Sequence, residues 1–186
     1  CWIICTPRSG STYLSNILNN VPDIKFSEYL GWKRGDFITP EDLKSAPSFC
    51  KVLHVHLNRI FFKPDYLQDV SHTHELQCAQ PQLEHRTYIE ECLPGIKFIL
   101  LNRKDTVKQA VSYCLTSTVS AKRKKSFFQM DSKLMHDEFL ETDVLISDTE
   151  LLDYYRVCMA YRRTWDKFID GAKNVFVLNY EDIEDK

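Results

Sequence analysis

Short apolar runs alternate with amphipathic stretches along this chain. Trp2 to Cys5 is a continuous apolar run of strand length, followed by Pro7 and Gly10 in a turn and then by Leu14, Ile17, Leu18 and Val21 at helical spacing. Phe49 to Val55 has the alternating character of a second strand, and a helix-like stretch from about Gln82 to Cys92 is closed by Pro94-Gly95. Lys97 to Leu101 predicts a buried strand. Asp105 then caps a helix in which Val107, Ala110, Val111, Cys114 and Thr118 share a face. The longest helical signal begins near Thr149, where Leu151, Tyr154, Cys158, Tyr161, Trp165 and Phe168 step by three and four until Gly171 stops the helix. Val175 to Leu178 predicts a last buried strand, leading into Asn179 and Tyr180. The segment from Ser120 to Asp148 is the least regular.

Strands separated by helices imply the α/β class: a central parallel sheet flanked by helices in three layers, with ligands at the carboxyl ends of the strands. There are no internal repeats or Gly/Ser linkers, and 186 residues, 44% of them apolar, suffice for one sizeable core, so residues 1–186 are read as a single domain. The chain opens at Cys1 inside an apolar run, which suggests that a preceding segment is missing.

Charge narrows the function classes. With 24 basic and 26 acidic side chains and a net charge of -2, no global field favours nucleic acid, and any anion site must be local. No apolar run approaches the roughly 18 residues of a membrane span, and no signal peptide is apparent. Seven cysteines form an odd set without a C-x-x-C pair, which fits a reducing, cytoplasmic setting. Spacing alone leaves open a luminal enzyme with one or two disulfides, in the Golgi if a trimmed N-terminal anchor preceded the chain. The basic run Lys122-Arg123-Lys124-Lys125 reads either as a solvated face or as a flap over an anionic ligand.

Two stretches concentrate anion-binding chemistry. Thr6 to Leu18, TPRSGSTYLSNIL, places an Arg, hydroxyls and a Gly between a buried strand and a helix start, where backbone N–H groups and the helix dipole favour phosphate. It is not the G-x-x-x-x-G-K-[ST] loop, because Ser11 follows Gly10 and the basic residue, Arg8, precedes it. Nor is it a tyrosine-phosphatase loop, which would need Arg where Ser11 stands. A Ser/Thr-rich helix cap with a surface Arg is the alternative for this motif alone. Phe98 to Tyr113, FILLNRKDTVKQAVSY, sets two cations at a strand end and Ser112 two turns into the next helix, an arrangement suited to a second phosphate.

TPRSGST resembles the 5'-phosphosulfate loop of the sulfotransferases, and its Arg form is most similar to the bacterial trehalose 2-sulfotransferase family. The resemblance implies a three-layer P-loop-like fold. It implies that Arg8 contacts the 5'-phosphate and the bridging oxygen, that Ser9, Gly10, Ser11 and Thr12 cradle the phosphate, and that Tyr13 stands where the cytosolic enzymes put an adenine-contacting Trp. The pattern R-[RK]-D-x-x-x-Q-A-V-S, ending in Gln109-Ala110-Val111-Ser112, is similar to the family's 3'-phosphate motif. Counting back eight residues from Ser112 gives Lys104, with Arg103 one position earlier, and both are carried as candidates. VFVLNYEDI, Val175 to Ile183, resembles a late strand of the family core, where Tyr180 either approaches the adenine or is a buried aromatic. The family continues past the position of Lys186 with further nucleotide contacts, which implies a domain truncated at its C-terminus.

The implied activity is transfer of a sulfuryl group from 3'-phosphoadenosine 5'-phosphosulfate (PAPS) to a hydroxyl of a carbohydrate or glycolipid, releasing 3',5'-adenosine bisphosphate (PAP) and requiring no metal. Glu28, in KFSEYLGW, lies 20 residues beyond Arg8, about where the trehalose-sulfating family places a Glu before an aromatic. It is the candidate base, set against the reading of an ordinary surface loop Glu, and Tyr29 and Trp32 offer surfaces for sugar stacking. Histidine is the base in the cytosolic enzymes, so the pairs His54/His56 and His72/His74 are alternatives, and without a third ligand neither is expected to hold a metal. Neither nucleic acid nor a membrane span is expected, and a homodimer is an allowed assembly. The alternatives are a P-loop nucleotide kinase-like enzyme and a catalytically silent nucleotide-binding module.

Overall fold

A computed structural model of the protein describes residues 1–28, 39–53, 83–123 and 145–184. Among these, β1 (Trp2–Cys5), β2 (Ser27–Glu28), β3 (Cys50–Leu53), β4 (Phe98–Asn102) and β5 (Val175–Asn179) form one sheet in the order β2-β3-β1-β4-β5. Every adjacent pair runs parallel, with Trp2 in register with Cys50 on one side and Phe98 on the other. The helices are α1 (Ser11–Leu18), α2 (Pro40–Lys44), α3 (Leu83–Cys92), α4 (Thr106–Arg123), α5 (Asp148–Ile169) and α6 (Glu181–Glu184).

The unbroken apolar run of β1 follows from burial on both faces, the usual condition of a central parallel strand. Trp2 and Ile4 join Phe98 and Leu100 beneath Leu43 of α2, Ile89 of α3, and Trp165 and Phe168 of α5. Ile3, Cys5 and Leu101 point the other way, onto Leu14 of α1 and Phe26. Helices therefore cover both faces of the parallel sheet. No helix among the described residues is long and apolar enough to cross a membrane.

Helix α5 contributes to two of the core clusters. Ser147 and Glu150 close a capping box at its start, and Gly171, at φ +66°, follows its end. Arg86 of α3 donates to the carbonyls of Phe168 and Asp170, satisfying acceptors that the helix leaves open. Farther back, Tyr154, Val157, Cys158 and Tyr161 pack on Ala110, Tyr113 and Cys114 of α4. The six described cysteines are free, and burial pushes the thiols of Cys50 and Cys158 up to about 12.

Several expectations are corrected. The first helix ends at Leu18, so Val21 lies outside it and is exposed. Val107 is exposed because the inner face of α4 is set by Ala110, Tyr113 and Cys114. Helix α4 runs to Arg123, beyond the Ser120 expected to begin irregular structure. The last strand is no buried strand: among the described residues β5 pairs only with β4, and Phe176 is 63% exposed. Ser27–Glu28, read as loop, is a short edge strand. Strand β3 ends at Leu53, and the expected continuation through Val55 lies outside the described residues.

Trp165 is fully buried and meets Phe168 edge-on at 5.2 Å. Trp165→Ala is expected to lower unfolding free energy by about 3–5 kcal/mol in a urea titration. A loss below about 1 kcal/mol would show that the core closes without this ring.

Candidate functional site

The strand order creates the site's location. From β1 the chain passes to β2 at the end of the sheet, comes back to β3 beside β1, and then places β4 on the other side of β1. The loops leaving β1 and β4 therefore diverge at their carboxyl ends, the position where open parallel sheets bind ligands.

The β1 loop, Thr6 to Gly10, is held by internal bonds. The Ser9 hydroxyl, fully buried, donates to the Thr6 carbonyl at 2.9 Å. Arg8 adopts φ +62°, a left-handed conformation that costs a non-glycine residue about 1–2 kcal/mol. Gly10, at φ +90°, is the N-cap of α1 and offers no side-chain acceptor to the helix start. A Cβ on Gly10 would lie 2.1 Å from Cδ2 of Tyr180, so this ring sits directly against the glycine. Tyr13 meets the same ring edge-on at 5.9 Å.

Helix α4 supports the loop from the other side through two residues one turn apart. The Gln109 amide, 4% exposed, donates to Thr6 Oγ1 at 2.6 Å and to the Pro7 carbonyl at 2.8 Å. Ser112 Oγ accepts from Arg8 Nε at 2.9 Å. Arg103, the first residue after β4, donates through Nη1 to the Arg8 carbonyl at 3.3 Å, and its guanidinium carbon lies 5.0 Å from the centre of the Tyr180 ring. Its Nε is buried and has no hydrogen-bond partner among the described residues.

Arg8 thus bonds Ser112 while Arg103 bonds the Arg8 backbone close enough for the two charges to interact, and neither guanidinium forms an ion pair with a described carboxylate. Burial, and after it the like charge of Arg103, lowers the pKa of Arg8, yet an arginine so shifted stays protonated near neutrality. Arg103 and Ser112 also line an open cavity of about 380 Å³ with Val107, Lys108, Val111 and Leu115.

Lys104 is placed differently. Its ammonium pairs with Asp182 at 2.5 Å and is mostly exposed. Its backbone N–H and that of Asp105 donate to the two oxygens of Glu181, at 2.9 and 3.1 Å. Burial raises the pKa of the Glu181 carboxyl, but these N–H donors and the nearby Arg103 outweigh it and hold the group below its ordinary value.

Arg8, Ser9, Gly10, Tyr13, Arg103 and Ser112 come together, with Ser11 and Thr12 in the first turn of α1. Glu28 lies on β2 in register with Lys51, which is itself in register with Ile3. Its backbone is therefore two strands from β1, roughly 10 Å across the sheet, and two residues short of Cys5 along it. Tyr29, Trp32, His54, His56, His72, His74, Lys124 and Lys125 lie outside the described residues.

The latch from Gln109 and the contact of Tyr180 with Gly10 were missed. A three-residue spacing could have shown that Gln109 and Ser112 share a helix face, but no sequence pattern shows that the β1 loop rests on it. Compared with known families and curated proteins, the chain matches no family model and no curated protein.

Gln109→Leu keeps the side chain's bulk but leaves Thr6 Oγ1 and the Pro7 carbonyl without their donor. A stability loss of about 1–3 kcal/mol in a thermal melt is expected, and an unchanged melt would show that the latch carries no weight.

Proposed function

We propose that the protein is a PAPS-dependent sulfotransferase with a P-loop-like fold, acting on a hydroxyl of a carbohydrate or glycolipid. The observation that carries this reading is the pairing of Arg8, bonded to Ser112, with Arg103, bonded to the Arg8 carbonyl, at a strand-order switch, with no described carboxylate paired to either cation. Two phosphates on one nucleotide need two cationic subsites supplied by separate loops. The β1 loop with the start of α1 is the 5' subsite, and Arg103 with Ser112 is the 3' subsite.

Between the two 3'-phosphate candidates, geometry favours Arg103, because the Lys104 ammonium is engaged by Asp182. The exposed ring of Tyr13 and the neighbouring Tyr180 offer aromatic surfaces for the base.

In the reaction, the acceptor oxygen forms a bond to sulfur as the bond from sulfur to the bridging oxygen breaks. Arg8 stabilises the charge arriving on the 5'-phosphate, and Glu28 takes the acceptor's proton. The place of Glu28 on the edge strand favours a second reading, in which the chain binds nucleotide without turnover. Retention of PAP binding with no sulfation of any hydroxyl acceptor would support that second reading.

Calorimetric titration with PAP tests the site, with ADP, which lacks the 3'-phosphate, as control. PAP is expected to bind at micromolar concentration and ADP at least about tenfold more weakly, a difference of about 1.4 kcal/mol. Arg103→Ala should abolish that discrimination and Lys104→Ala should leave it; equal PAP and ADP affinities in the unaltered protein would overturn the two-subsite reading. In a sulfation assay Arg8→Ala should cost about a hundredfold in turnover, and a loss within about threefold would remove Arg8 from the chemistry.

A further inference from the structure

Resting on that reading, one further role can be assigned from the grip of residues 180–182 on the β4 loop. The Tyr180 N–H donates to the Asn102 carbonyl at 2.8 Å, and the Tyr180 ring faces the Arg103 guanidinium. Glu181 binds the next two backbone N–H groups, those of Lys104 and Asp105, one to each carboxylate oxygen. Four consecutive residues, Asn102 to Asp105, are therefore held by the two-residue segment Tyr180-Glu181.

We propose that Glu181 is a positioning residue for Arg103, fixing the backbone of the β4 loop so that this guanidinium stays beside Arg8 and Ser112. Its charge makes the assignment decidable. A carboxylate near an anion site opposes anion binding through space, so a Glu181 acting only as a nearby charge would weaken nucleotide affinity, and neutralising it would tighten binding. A Glu181 acting as a clamp does the reverse. Without it, two backbone donors lose their acceptor at the loop that carries Arg103, and they become a competing place for a phosphate to land.

The test compares Glu181→Gln, Glu181→Ala and Asp182→Asn by calorimetric titration with PAP and with ADP. Asp182→Asn removes a neighbouring negative charge and the ion pair to Lys104 while leaving both backbone bonds to Glu181 in place. Both Glu181 variants are expected to weaken PAP binding about tenfold, with Gln the milder, to change ADP by less than about twofold, and Asp182→Asn is expected to bind PAP at least as well as the unaltered protein. Unchanged or tighter PAP binding by Glu181→Gln would overturn the positioning role, as would equal losses for PAP and ADP, the mark of a general structural defect. Absence of PAP binding by the unaltered protein would overturn the nucleotide reading and this inference with it.

Discussion

The arrangement at the head of the sheet depends on holding two guanidinium groups together with no carboxylate among the described residues between them. Like charges in a partly buried setting repel, and a fold normally relieves this with an acid. Here the acceptors are neutral: Arg103 donates to a backbone carbonyl and rests on an aromatic face, while Arg8 donates to a hydroxyl. Such bonds orient the cations without cancelling them. The adjacent residue shows the other outcome, because Lys104 is neutralised by Asp182 and so contributes structure rather than a field for a ligand. One position along the chain separates a cation in an ion pair from one with no described carboxylate partner.

The fold makes this possible by bringing two loops to one crevice and backing both with the same helix. Helix α4 begins with the loop that carries Arg103 and, one to two turns later, presents Gln109 and Ser112 to the loop that carries Arg8. The left-handed backbone of Arg8 is a conformation that the local sequence does not favour. It is over-determined by the Gln109 amide on Pro7, the buried Ser9 bond and the Arg103 bond to its own carbonyl. Support for the strained residue thus comes from about 100 positions away in sequence, as expected of a site built on tertiary rather than local geometry.

What the sequence made legible followed from periodicity and local chemistry. The central strands could be read because burial on both faces forces apolar runs at Trp2–Cys5 and Phe98–Leu101, and α5 because a long apolar stripe ends in a glycine. The clusters of cations and hydroxyls at Thr6–Thr12 and Arg103–Ser112 were readable for the same reason, since each lies within one short stretch of chain. Edge elements were not. Ser27–Glu28 has too few residues to show a period, and Val175–Asn179 is apolar enough to imitate a buried strand although Phe176 and Val177 are exposed. The difference between Arg103 and Lys104 was beyond reach, because it is decided by Tyr180 and Asp182, more than seventy residues later.

Gly10 has a reason to be glycine that the sequence does not display. The sequence predicts that Gly10 admits close approach of an anion to the backbone. The space that a Cβ would take is filled by the Tyr180 ring, the same ring that carries the Arg103 guanidinium. The demand for glycine therefore comes from both sides of the site: its backbone caps α1, and its missing side chain lets the β5–α6 segment close over the loop. Because that segment also holds the β4 loop through Glu181, a side chain at position 10 would push on Tyr180 and, through it, on Arg103. The β1 and β4 loops are in this way one mechanical unit, joined beneath by Gln109 and Ser112 and at the side by Tyr180.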